Sequence, residues 1–145
     1  EASAKQKQIV FKDKQLTYED VCKELFAKEH YYIYDDGGIR WLINAANSCP
    51  NNASTKHQLE CILAKNKLAN VARYLNGEWK WKWGSHDAFF IMDKSYENNG
   101  MCFDIDKYSC YPERSNILFK SKEAALQAIE ILGEETVKLA LTPLY

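Results

Sequence analysis

The chain has 145 residues, 46% of them hydrophobic and 27% charged, which suits one globular domain with its own core and excludes a disordered tail protein. Its formal net charge of -1 gives no global basic field to collect nucleic acid, and there is no acidic tail. Aromatic residues reach 13%, with 9 Tyr and 4 Trp, as in a core with amphipathic edges or a surface that binds by stacking.

No apolar run has the length of a membrane span, and no charged-then-apolar signal segment opens the chain. The sequence begins at Glu1 rather than at a methionine, so an upstream segment stays open. The 5 cysteines (Cys22, Cys49, Cys61, Cys102 and Cys110) are odd in number, and none forms the C-x-x-C pair of a zinc or thioredoxin-like site. Cys22 and Cys61 fall on the expected buried faces of helices, where a reduced thiol acts as a small hydrophobe. This usage predicts a reducing cytoplasm, and no cofactor is expected.

Residues Glu1 to Gln15 read as a flexible N-terminal arm, and residues 16–145 as a single α+β domain. Thr17 caps a first helix whose stripe is Val21, Cys22, Leu25 and Phe26. Tyr31–Tyr34, the turn Asp35-Asp36-Gly37-Gly38 and Ile39–Ile43 predict a β-hairpin. Asn44 to Ala53 lacks periodicity and reads as a loop.

Ser54 or Thr55 then caps a long helix, with Thr55-x-x-Gln58 in the form of a capping box. Its apolar face is Leu59, Ile62, Leu63, Leu68, Ala69, Val71, Ala72 and Leu75, and Asn76-Gly77 ends it. Strands are expected at Ala88–Met92 and Met101–Ile105, joined by a hairpin loop from Ser95 to Gly100, with a third at Ile117–Phe119. Ser121 caps a helix burying Ala125, Leu126, Ala128, Ile129 and Leu132, Gly133 stops it, and Glu134–Leu141 forms a last short helix. The expected architecture is antiparallel β-hairpins packed against one long central helix and a C-terminal helix pair.

The segment Trp79-Lys80-Trp81-Lys82-Trp83 alternates aromatic and basic residues, so in extended form the three Trp share one face and the lysines the other. From Cys61 to Trp83 five cations stand against Glu78, a local net of +4. Trp79, Trp81 and Trp83 with Lys80 and Lys82 are therefore the candidate ligand-binding residues, a stacking platform with phosphate partners. The plainer alternative is that the Trp side chains pack against the long helix while the lysines are merely solvated.

Between Asp87 and Asp106, five acids stand against Lys94, a net of -4. Asp104 and Asp106 lie two apart on an expected strand, hence on one face, where a carboxylate pair can hold Mg²⁺ for phosphodiester chemistry. The alternative is a wet outer face opposite Phe103 and Ile105. No residue signature supports a Cys–His nucleophile from His30, His57 or His86. The chain lacks a nucleophile elbow, a phosphate-binding glycine loop and a dinucleotide fingerprint, so no catalytic residue is assigned.

Three blocks carry a resemblance: Leu16-Thr17-Tyr18-Glu19-Asp20-Val21, the run from Asn66 to Gly77, and Phe119-Lys120-Ser121-Lys122-Glu123-Ala124 continuing through Ala128 to Thr136. With them the chain resembles a group of small uncharacterised proteins encoded by bacteriophages and prophages. The resemblance implies a genomic setting, with the host bacterial cytoplasm as compartment, and brings no activity.

The leading expectation is a non-enzymatic phage accessory protein that binds a host protein or a nucleotide or nucleic-acid ligand, with counter-defence as a role. The two alternatives are a metal-dependent nuclease or phosphoesterase using Asp104 and Asp106, and a structural or assembly subunit that forms a homo-oligomer. No membrane partner is expected.

Overall fold

The structure, a computed structural model, describes residues 16–27, 29–43, 52–82, 88–98, 100, 102–107 and 117–144. The expected arm, Cys49, Cys110, Trp83, His86 and Asp87 lie outside the described residues. The fold is α+β, with helices and two small antiparallel sheets. The chain divides into two compact units, Glu1–Leu59 and Glu60–Tyr145.

In the first unit, helix α1 (Tyr18–Leu25) opens on a full capping box. The Asp20 N–H donates to Thr17 Oγ1 at 3.2 Å and the Thr17 N–H donates back to Asp20 Oδ2 at 3.0 Å. Cys22 and Phe26 are buried, as their stripe predicts, but Leu25 is exposed. The hairpin forms as expected from β1 (Glu29–Ile33) and β2 (Ile39–Ile43), in a register that pairs Ile33 with Ile39 and Tyr31 with Trp41. Asp36 stiffens its turn by accepting from the Gly38 N–H at 2.8 Å and pairing with Arg40 at 3.4 Å. The Arg40 guanidinium also sits 3.7 Å from the Tyr34 ring centroid.

Of the expected loop at Asn44–Ala53, residues 44–51 lie outside the described residues, and Asn52–Ala53 forms a short strand, β3, antiparallel to β1. Two residues are too few to show a period, so only the pairing across to Tyr31 and Tyr32 makes them a strand.

Helix α2 (Lys56–Asn76) follows, with Thr55 Oγ1 accepting from the Gln58 N–H at 3.2 Å. Its Leu59, Cys61, Ala64, Leu68 and Ala72 are buried, while Ala69 is exposed against expectation. Gly77 leaves the helix at a φ of +58°, a region where a Cβ is penalised.

The second unit continues with β4 (Phe89–Asp93), a single helical turn α3 (Ser95–Asn98) and β5 (Phe103–Lys107), followed by α4 (Lys122–Leu132) and α5 (Glu134–Leu141). Its core gathers Ala64, Leu68 and Ala72 of α2 with Ile91, Phe119, Ala124, Ala125, Ala128, Val137 and Ala140. Most of these are alanines, which lets the helix backbones approach closely, while Phe119 and Leu68 supply bulk. Ser121 caps α4 through the Ala124 N–H at 3.1 Å, and Gly133 stops it at a φ of +86°. Leu126, expected inside, is exposed.

The expected hairpin loop at Ser95–Gly100 contains the turn α3, and ahead of it Asp93 Oδ1 accepts from both the Ser95 N–H and its hydroxyl, an Asx-type turn. β5 starts two residues later than expected, since pairing Ile91 with Ile105 sets the register. The third strand expected at Ile117–Phe119 is reduced to one bridge, Phe89 with Phe119. No helix among the described residues is long and apolar enough to cross a membrane.

Candidate functional site

The C-terminal turns of α2 present Ala69, Ala72, Arg73 and Asn76 along one side, at the i, i+3, i+4, i+7 spacing that aligns side chains on a helix. The chain then turns at Gly77, where the Trp79 N–H donates to Asn76 O at 3.0 Å. Trp79, Lys80 and Trp81 come back as part of a groove of about 490 Å³ that also takes in Arg73, Asn76 and Glu78. Ile117 and Leu118 complete its lining.

Burial alternates along the Trp segment as its sequence predicts: Trp79 and Trp81 are half-buried, Lys80 and Lys82 exposed. The segment joins no sheet among the described residues, so the alternation comes from facing a helix end rather than from a ladder. Trp79 and Trp81 are thus neither fully buried nor fully exposed, and both line the groove. Trp83 lies outside the described residues.

Asn76 fixes the far wall. Its Nδ2 donates to Leu118 O at 2.9 Å, and its Oδ1 accepts from the Lys120 N–H at 2.9 Å. Between these two bonds Phe119, fully buried, exchanges backbone hydrogen bonds with Phe89 at 2.8 and 2.9 Å. Residues 118–120 therefore have β4 on one side and a side-chain amide on the other, standing where a neighbouring strand would. Sequence reading took Asn76 only as a helix stop and Arg73 only as a charge. The helical spacing from Ala69 to Asn76 signals Arg73's place in the groove, whereas nothing local signals the Asn76 latch, which spans 42 and 44 residues.

The lining carries Arg73 and Lys80 against Glu78, so the local excess of positive charge survives folding. Cation and indole are the two parts needed to hold a planar anion: the ring face stacks and the guanidinium or ammonium meets the charge.

The acidic alternative is placed differently. Asp104 and Asp106 share one face of β5, as expected, and both are exposed. Their carboxylates accept from the next backbone N–H, Ile105 at 2.9 Å and Lys107 at 2.8 Å. That face is not wholly wet, because Met92 and Phe90 stand opposite the two acids in the ladder. Among the described residues no group of three His, Cys, Asp or Glu side chains is arranged to hold a metal ion.

Cys22, Cys61 and Cys102 form no disulfide among the described residues, and the first two are buried as the sequence suggests. His30 is fully buried with its ring 4.9 Å from that of Phe26, and neither nitrogen has a hydrogen-bond partner among the described residues.

No family model, no curated protein and no solved structure matches the chain. The site has to be judged on its own chemistry.

Proposed function

We propose that the chain is a non-enzymatic binding protein whose groove beside Trp79 and Trp81 takes a nucleotide, free or within a single strand. The observation that supports this best is the lining itself, two half-buried indoles with Arg73 and Lys80 around the same groove. At roughly 30 Å³ per small atom group, 490 Å³ admits about 16 non-hydrogen atoms, the size of one base with most of its sugar.

The magnitudes rank the contributions. Stacking on an aromatic ring contributes about 1–3 kcal/mol per base. An exposed cation beside a phosphate gives about 1 kcal/mol in bulk water. Trp81→Ala is therefore expected to weaken binding more than Lys80→Ala. The groove's cations also favour a small anion over a host protein as the ligand.

On the resemblance of its helical blocks we place the chain among phage accessory proteins acting in the bacterial cytoplasm, where nucleotide capture is a form of counter-defence. The nuclease alternative has only Asp104 and Asp106 to rest on and gains no supporting geometry.

Anisotropy of a labelled single-stranded oligonucleotide tests the reading. With Arg73, Lys80 and Lys82 each meeting one phosphate, log Kobs falls against log salt with a slope of about -2, and Lys80→Ala makes it shallower by about 0.7. Absence of binding to oligonucleotides and mononucleotides alike would remove the proposal.

A further inference from the structure

We propose a second ligand site in the unit that starts at Glu60: a cavity that binds a small monoanion with an apolar body, anchored by Lys65. The cavity holds about 450 Å³ and its floor is the core itself, with Leu68, Ile91 and Ala140 all buried. Phe90 and Leu141 add apolar wall, and Lys65 and Asn66 supply the polar side chains. It meets the Trp groove at Ala69 and Ile117, which line both.

Lys65 explains the charge preference. Its Nζ donates to Ala140 O and, at 3.0 Å, to Thr142 O, so it secures the end of α5. Those carbonyls use two of three N–H donors and are neutral, so among the described residues the ammonium has no counter-ion. Among the described residues no acidic side chain lines the cavity and Lys65 joins no ion pair. A half-buried ammonium with one donor left, at an apolar cavity, suits a single carboxylate carried on a hydrocarbon or aromatic body. A dianion would bring one charge too many for one cation.

The volume admits about 15 non-hydrogen atoms, within the usual range of small-molecule pockets. This site differs from the nucleotide groove in its ligand and does not depend on that reading.

The test compares phenylbutyrate with phenylbutanol, which share an apolar body and differ in the carboxylate. Each is titrated into ¹⁵N-labelled protein, following the amides of Leu68, Ile91 and Ala140 apart from the Trp79 and Trp81 indoles. The expected result is saturable shifts at the three core amides, with the alcohol binding about tenfold or more weaker. Lys65→Gln, which removes the charge but keeps N–H donors, brings the acid to the level of the alcohol, while Lys65→Arg preserves the preference. Equal binding of acid and alcohol, shifts confined to the indoles, or a preference that survives Lys65→Gln would overturn the proposal. Should Lys65→Gln not fold, the wild-type comparison and Lys65→Arg decide it alone.

Discussion

Asn76 closes α2 and, with the same carboxamide, holds residues 118–120 beside the groove. Asn76→Ala would leave the Leu118 carbonyl and the Lys120 N–H without their partner, at a cost of about 1–3 kcal/mol in unfolding free energy by urea titration. An unchanged midpoint would mean that the latch carries no weight. His30 predicts the opposite sign. Its two nitrogens are buried without partners among the described residues, so His30→Phe keeps the ring against Phe26 and removes an unmet polar cost. A gain of about 1–2 kcal/mol is expected, seen as a higher thermal midpoint, and a clear loss would mean that the imidazole is held by bonds after all. Single residues were legible where the rule is local: Thr17 and Ser121 cap as read. Leu25 and Leu126 were misplaced because a helical stripe gives a direction but not how far the neighbouring element extends.

At the scale of elements, the β4–β5 connection is set by one carboxylate. Burial pushes the Asp93 carboxyl up, yet the hydroxyl and N–H of Ser95 and the charge of Lys138 outweigh it and hold the group below its ordinary 3.8. A depressed native value means that this contribution is complete above the ordinary value and is lost as pH falls through the lower native one. Stability should therefore decline on acidification below about pH 4, and Asp93→Asn should flatten that limb while lowering stability at neutral pH. A variant with the wild-type acid limb would contradict the assignment.

The first hairpin, the long helix and the C-terminal pair were readable because each carries its own period and punctuation, from Asp36-Gly37 to Asn76-Gly77 and Gly133. The strand at Ile117–Phe119 was not. Its apolar run looks like any edge strand, but Asn76 takes the Leu118 and Lys120 groups that a further strand would need.

Across the whole molecule, the positive stretch from Cys61 to Trp83 and the negative stretch from Asp87 to Asp106 both fall in the second unit. Mutual pairing is the simplest expectation, yet among the described residues no ion pair joins them, and the pairs that form are local, Arg40 with Asp36 and Lys94 with Glu97. The cations around the groove thus stay available to an anion, in a chain whose net charge of -1 gives no long-range attraction. Under the proposed binding function, recognition would come from the groove and rest on its indoles.

Intrinsic Trp fluorescence, titrated with a single-stranded oligonucleotide at low and high salt, reads them most directly. A Trp41→Phe background removes the exposed indole of the first unit. Saturable quenching that weakens with salt and disappears in Trp81→Phe is the predicted result. A blue-shifted spectrum that ignores the oligonucleotide would make Trp79 and Trp81 structural side chains and contradict the binding site.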